Sequence, residues 1–131
     1  MMLVHFPTAL YPFSVAMDIA GQYTLQQSFH DAACYALIGG ITTSLLAMVY
    51  GAIDFLKIGS SSNAWKIAGV HALLNVIWFL LFGLLLAYRL KHSEDFLNPI
   101  YLILSGLAVI GLFISNYLGG ELVVKYRIGI D

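Results

Sequence analysis

The stretch AWKIAGVHALLNVIWFLLFGLLLAY, residues 64–88, decides the fold class. It is long and apolar enough to cross a bilayer, whose hydrocarbon core of about 30 Å needs roughly 20 helical residues. One ionisable side chain, His71, lies about two turns inside it. An ionisable group at that depth is costly and usually faces a partner, a cavity or a cofactor. The stretch therefore predicts a transmembrane helix and marks where a polar site would lie.

Composition indicates a membrane protein along the whole chain. Of 131 residues, 60% are hydrophobic and 10% are charged, whereas soluble domains carry about 25% charged residues. The length allows one domain, residues 1–131, and a net charge of −1 offers no basic surface for nucleic acid. The single cysteine, Cys34, cannot form an internal disulfide. We therefore expect one membrane domain whose first partner is the lipid bilayer.

Three further apolar segments accompany the first. They cover about residues 3–23, 31–56 and 99–124, and polar links separate them. Residues 1–6 contain no Lys or Arg, so the first segment predicts a retained helix rather than a removable signal. The sequence thus predicts an all-α, integral membrane bundle of four antiparallel transmembrane helices. Both termini then lie on one side of the membrane, called the N-side below.

Small residues mark the faces on which these helices are expected to pack. They recur at steps of three and four in the second segment and at steps of four in the fourth. Such spacing lets helix backbones approach closely in lipid. The predicted helix-packing positions are Gly40, Ser44, Ala47, Gly51, Gly111, Ser115 and Gly119. We expect large side chains at Gly51 or Gly119 to destabilise the bundle.

Polar side chains from all four segments converge on the N-side half of the predicted bundle. The candidates for cofactor binding are His5, His71 and Asn75, and the polar cluster around them comprises Asp54, Asn116 and Glu121. The two carboxylates also fit a simpler role. Asp54 precedes Lys57 by three residues and Glu121 precedes Lys125 by four, so both are equally compatible with interfacial ion pairs along one helix.

The opposite end of the bundle carries a second set of ionisable residues. These are Asp18, His30, Asp31, His92, Glu94 and Asp95. Arg89 opens a polar loop that reaches Asn98 and holds the last three of them. Asp31 lies at the very start of the second apolar segment, and only Asp18 lies inside a segment, near its end. We expect this set to be solvated and without a site of its own.

Several short motifs occur in order along the chain. They are Leu-Val-His-Phe-Pro (3–7), Asp18, Gly-x-x-Asp (51–54), His-Ala-Leu-Leu-Asn (71–75) and Leu-Gly-Gly-Glu-Leu-Val (118–123). Together they resemble the uncharacterised bacterial membrane family called domain of unknown function 2231. The resemblance implies a four-helix membrane protein. It also implies an association with redox proteins, because some members are joined to Rieske or c-type cytochrome modules. Asn116 departs from the family pattern, in which glycine is common.

Three functions are compatible with these residues. The first is a redox membrane subunit in which His5 and His71, or one of them, ligate a b-type haem, with carboxylates tuning the ligand. The alternative is a non-catalytic helical subunit that scaffolds or assembles a larger membrane complex, including redox proteins. The third is a proton or metal site built from the same cluster. The first two predict a chain that is not an enzyme on its own.

Basic residues give a weak indication of membrane orientation. The N-side carries four of them: Lys57, Lys66, Lys125 and Arg127. The other side carries two: Arg89 and Lys91. Cytoplasmic loops carry an excess of Lys and Arg. The count favours an inner-membrane protein with both termini in the cytoplasm. The association of some family members with cytochrome modules fits the reverse orientation.

Overall fold

The computed structural model describes residues 2–92 and 98–128. Within them the chain forms a 3-10 turn, Met2–Val4, and four α-helices: α1 (His5–Thr24), α2 (Gln27–Leu56), α3 (Asn63–Lys91) and α4 (Pro99–Tyr126). No strand occurs in these residues. The predicted all-α architecture of four helices is confirmed. Two bounds differ from expectation by three residues or more: α2 begins at Gln27 rather than at 31, and α3 continues to Lys91 rather than ending at 88.

Local sequence chemistry sets the starts of α3 and α4. The Ser62 hydroxyl accepts a hydrogen bond from the Trp65 backbone N–H at 3.1 Å and caps α3. The Asn98 side chain accepts from the Ile100 N–H at 2.9 Å, and Pro99 occupies the first turn of α4. Side-chain oxygens at this position satisfy amides that a helix start leaves unpaired, and proline has no such amide to lose. These two boundaries agree closely with the predicted ones.

The four helices differ in how well they suit a membrane. In the described part of the chain, α2, α3 and α4 are each long and apolar enough to cross it. α1 has 20 residues and is not among them. Its composition explains the difference, because it includes polar residues such as His5, Ser14 and Asp18. Of these, Ser14 and Asp18 are 3% and 1% exposed and lie inside the bundle. The first helix therefore depends on its neighbours to cover that polar face.

The helices form a closed ring in which each packs on two neighbours. α1 contacts α2 and α4, and α3 contacts the same two, so α1 and α3 occupy opposite corners. Long side chains join these corners through the core. The Tyr11 and Phe82 rings stack with centroids 3.7 Å apart, and the Tyr11 hydroxyl lies 2.9 Å from Ser44 Oγ. Around this stack lie Leu37, Leu85, Tyr101, Ala108 and Leu112.

Glycines provide the closest approaches between helices. A Cβ added at Gly40 would lie 2.7 Å from Tyr11 Cε1, one added at Gly119 would lie 2.8 Å from His71 Cε1, and one at Gly111 would overlap the Trp78 ring. These three positions therefore accept a large side chain from the neighbouring helix. Larger residues there would force the helices apart.

The small-residue stripe of α2 continues beyond these contacts. Ala47 is half-buried, whereas Gly51 is exposed, and a Cβ at Gly51 would meet no atom within 4 Å. Gly51 lies seven residues beyond Ser44, the partner of Tyr11, and α1 begins at His5, six residues before Tyr11. The 3-10 turn before α1 also contacts α2, but neither element covers Gly51. Helix α1 thus begins near the level of Gly51. Within the described chain, Gly51 lies outside the close helix contacts that were expected there.

Candidate functional site

A cluster of buried polar side chains lies where α1 and α3 end. Each helix contributes one side chain to it: Asp18 from α1, His30 from α2, Arg89 from α3 and Tyr101 from α4. Their exposed fractions are 1%, 4%, 5% and 4%. We call these four residues the arginine cluster.

The Arg89 guanidinium organises this cluster. Its Nη1 and Nη2 donate to the two carboxylate oxygens of Asp18 at 2.7 and 2.6 Å. Its other bonds go to the Tyr101 hydroxyl at 3.2 Å and to the His30 carbonyl at 2.8 Å. A forked, charge-assisted pair of this kind is among the stronger protein hydrogen bonds. Arg89 thereby links α3 to each of the other three helices.

His30 lies against the same carboxylate. Its Nδ1 is 3.3 Å from Asp18 Oδ1. The imidazole also presses on α1 at Gly21, where an added Cβ would lie 2.6 Å from His30 Cε1 and Nε2. Gly21 therefore leaves the space that lets this ring reach Asp18. The ring fills the junction between the end of α1 and the start of α2.

These positions correct the expectation that the opposite end is solvated. For Asp18 and His30 that expectation is wrong, because the early start of α2 places His30 inside a helix facing α1. Arg89, expected in a loop, is a buried residue of α3. Asp31 is exposed, as expected, and accepts from the Gln27 side chain at 3.2 Å.

The remaining residues of that set divide between loop and helix end. His92 caps α3 and is half-buried, with its Nδ1 3.2 Å from the Tyr88 carbonyl and its ring stacked on the Tyr88 ring. Glu94 and Asp95 lie outside the described residues. Solvation therefore fits Asp31 alone among the described members of the set.

A second polar group, the histidine cluster, joins α3 and α4 and comprises His71, Asn75 and Ser115. His71 Nδ1 lies 2.7 Å from the Ser115 carbonyl, which can only accept, so Nδ1 carries the proton. The Asn75 amide then donates to His71 Nε2 at 3.0 Å and to the His71 carbonyl at 2.9 Å. This pattern describes a neutral imidazole whose two ring nitrogens are both hydrogen-bonded.

The two carboxylates expected near His71 form ion pairs within their own helices. Asp54 Oδ1 lies 3.1 Å from Lys57 Nζ, and the two side chains are 40% and 71% exposed. Glu121 Oε1 lies 3.0 Å from Lys125 Nζ, and these side chains are 30% and 62% exposed. Both arrangements match the interfacial ion pairs that the sequence also allowed.

Two other expected members lie on or near α1. Asn116 donates its side-chain amide to the Thr8 hydroxyl at 3.0 Å and so ties α4 to α1. His5 is exposed and lines a shallow recess with Phe6, Ala9 and Leu10. The structure thus groups His71 with Asn75 and Ser115 and distributes the other expected members over separate contacts.

The whole chain, residues 1–131, matches the family described as "Predicted membrane protein (DUF2231)". The chain belongs to this family. No curated protein matches it, and no solved structure does either. Membership agrees with the integral membrane bundle, and it assigns no activity to either cluster of this DUF2231 chain.

The expected haem site does not fit the residues of this DUF2231 chain as they are placed. An axial imidazole needs a nitrogen lone pair for the iron, but His71 Nε2 already accepts from Asn75. The His71 ring lies directly on Gly119, with no room between them for a macrocycle. His5 is exposed and lines a recess with residues of its own helix, away from the contacts of His71. In the described residues, no three His, Cys, Asp or Glu side chains are arranged to hold a metal ion.

The arginine cluster left a signal in the sequence that was missed. Along α1, Pro7, Tyr11, Ser14, Asp18 and Gly21 recur at steps of four and three, and all five are buried. This spacing marks one inward face, and it turns the Asp18 carboxylate toward the bundle. A buried carboxylate requires a cation, and Arg89 is the first basic residue after the apolar run of the third segment.

Proposed function

We propose that this chain is a non-catalytic helical subunit that helps to assemble a larger membrane complex. The observation that carries the proposal is the open part of the α2 stripe, in which Gly51 meets no atom within 4 Å. Stripes of small residues in membrane helices serve close contact between backbones. The same stripe already does so at Gly40, beneath Tyr11. The uncovered end of the stripe, at Gly51 beside the start of α1, suits a helix from another protein.

The buried polar residues also support a structural role. The arginine cluster uses its hydrogen bonds to join four helices, and the histidine cluster uses its own to join two. The His71 ring nitrogens and the Arg89 guanidinium are engaged in these bonds. On this proposal residues 1–131 act as one transmembrane domain, and its partners are lipid and other membrane proteins.

The proposal places the chain in the bacterial inner membrane with both termini in the cytoplasm. Arg89 is buried in its ion pair and does not contribute an exposed positive charge to its end of the bundle. The exposed basic residues are Lys91 at that end and Lys57, Lys66, Lys125 and Arg127 at the other. The difference between the ends is therefore larger than the sequence count suggested. Reporter fusions to the C-terminus test this orientation.

A redox role with a b-type haem has weaker support. It rests on an imidazole inside an apolar span, and the contacts of His71 described above oppose it. The test is an absorption spectrum of the chain purified after expression with haem supplied. A Soret band that disappears in His71→Ala would favour the redox role over the scaffold, and no band in the wild type would rule it out.

The scaffold proposal is tested by the size of the complex in mildly solubilised membranes. We expect the wild type, of 14.4 kDa, to migrate on native gels well above the same chain purified alone in that detergent. Gly51→Leu should release the chain from this complex, because the new side chain fills the contact face. Ala52→Leu, an exposed position next along the same helix, is the matched control and should leave the complex intact. A wild-type chain that migrates alone would contradict the proposal.

A further inference from the structure

The first helix buries a charge inside the bundle. Asp18 is 1% exposed and lies in α1, which is not among the helices that are long and apolar enough to count as membrane spans. A carboxylate in lipid is unfavourable unless a partner compensates it. The composition of α1 therefore gives it little tendency to cross the bilayer by itself.

The compensating charge comes from a helix made much later. Arg89 belongs to α3, at the opposite corner of the ring, and forms the two-pronged ion pair with Asp18. The neighbour in sequence, α2, offers Asp18 the His30 ring at 3.3 Å. The guanidinium balances the charge of the carboxylate, and the His30 carbonyl in turn accepts a hydrogen bond from Arg89.

We propose that Arg89 determines the membrane topology of α1: the first helix crosses the bilayer because α3 supplies the guanidinium that neutralises Asp18. Helices α2, α3 and α4 insert on their own apolar content, and α1 follows when its partner is present. The two termini therefore lie on the same side of the membrane only in chains that carry this ion pair or lack the Asp18 charge. This inference is independent of the scaffold proposal.

The register of the two helices supports this role. Tyr11 and Asp18 lie seven residues apart on α1, and their partners Phe82 and Arg89 lie seven apart on α3. Seven residues span about two helical turns, so each pair lies along one face of its helix. The aromatic stack in the centre and the ion pair at the end thus fix the same alignment. When α1 crosses the bilayer in this alignment, Asp18 therefore lies beside the charge at position 89.

The test measures on which side the N-terminus lies. The full-length chain, with one epitope at each end, is translated into inverted inner-membrane vesicles, and external protease reports the side of each epitope. We expect both epitopes on one side in the wild type. In Arg89→Gln most chains should place the N-terminal epitope on the other side. Lys91→Gln, at an exposed position of the same helix end, is the matched control and should behave as the wild type.

Two further variants separate charge from general stability. Asp18→Asn removes the charge that opposes insertion, so α1 should still cross the membrane. For the same reason the double variant D18N/R89Q should restore the wild-type arrangement. A merely stabilising ion pair would instead make the two single variants alike. The proposal is overturned if R89Q keeps both epitopes on one side, or if the double variant has the same topology as R89Q.

Discussion

The two polar clusters differ in charge, burial and the number of helices that they join. The arginine cluster contains a full ion pair, takes one residue from every helix and is at most 5% exposed. The histidine cluster is neutral, joins α3 to α4 and includes the half-buried His71 and Asn75. A buried charge needs several partners before burial is tolerable, whereas a neutral ring is satisfied by two hydrogen bonds. The charged cluster therefore constrains all four helices, and the neutral cluster constrains only the contact between α3 and α4.

The largest expected effect comes from breaking the charged cluster at Asp18. Asp18→Asn leaves the Arg89 guanidinium buried without a counter-charge, which in other proteins costs about 3–5 kcal/mol. We expect a large fall in thermal stability in mild detergent. Asp31→Asn, an exposed carboxylate on the adjacent helix, is the control and should melt as the wild type does. Equal melting of the two variants would mean that the ion pair does not hold the ring together.

A smaller loss is expected at the glycine beneath the histidine cluster. Leu at Gly119 would collide with the His71 ring, because even a Cβ would lie 2.8 Å from Cε1. Overpacking of this kind costs about 1–3 kcal/mol. Leu at Gly51 meets open space and should not lower the free energy of unfolding of the isolated chain. Denaturation in detergent compares the two variants, and equal losses would place a packing partner against Gly51 within the chain.

Gly51 also shows where prediction from the sequence reached its limit. The spacing of small residues predicts that a face of α2 is a contact face, and Gly40 and Ser44 fulfil it against Tyr11. The spacing does not say how far the partner helix extends. That depends on where α1 begins relative to α2, which follows from the link at Leu25 and from the Tyr11–Ser44 pairing. The element and its face were predictable, and the length of the contact was not.

The candidate site was harder to predict than the fold. His71 and Asn75 lie one turn apart on one helix, so their contact follows from the sequence. Their partner is the backbone carbonyl of Ser115, which any residue type could supply, so no sequence pattern marks it. Arg89 was placed in a loop because an arginine after an apolar run resembles an interfacial residue. Only the continuation of α3 to Lys91 brings it into the interior.

Removing a hydrogen bond from the histidine cluster should destabilise the chain less than Asp18→Asn or Leu at Gly119. Asn75→Leu keeps the size of the side chain and removes the donor to His71 Nε2. This bond lies within α3, and a typical intramolecular hydrogen bond contributes about 0.5–1.5 kcal/mol to stability. We expect a loss in that range by thermal unfolding, and no change in the side of the N-terminal epitope. A loss as large as that of Asp18→Asn would make the two clusters equal in weight and remove the contrast between them.

The smallest effect is expected at Asp54, and it tests the N-side site that the sequence predicted. The carboxylate is 40% exposed and paired with Lys57, three residues further along the chain, and exposed pairs at helical spacing contribute about 0.3–0.5 kcal/mol, less in salt. Asp54→Asn should therefore change the unfolding free energy by no more than about 0.5 kcal/mol. Salt at about 0.5 M should abolish the difference, because it screens an exposed ion pair but hardly reaches a buried one. A large, salt-resistant loss would place Asp54 inside the bundle, beside the groups with which the sequence grouped it.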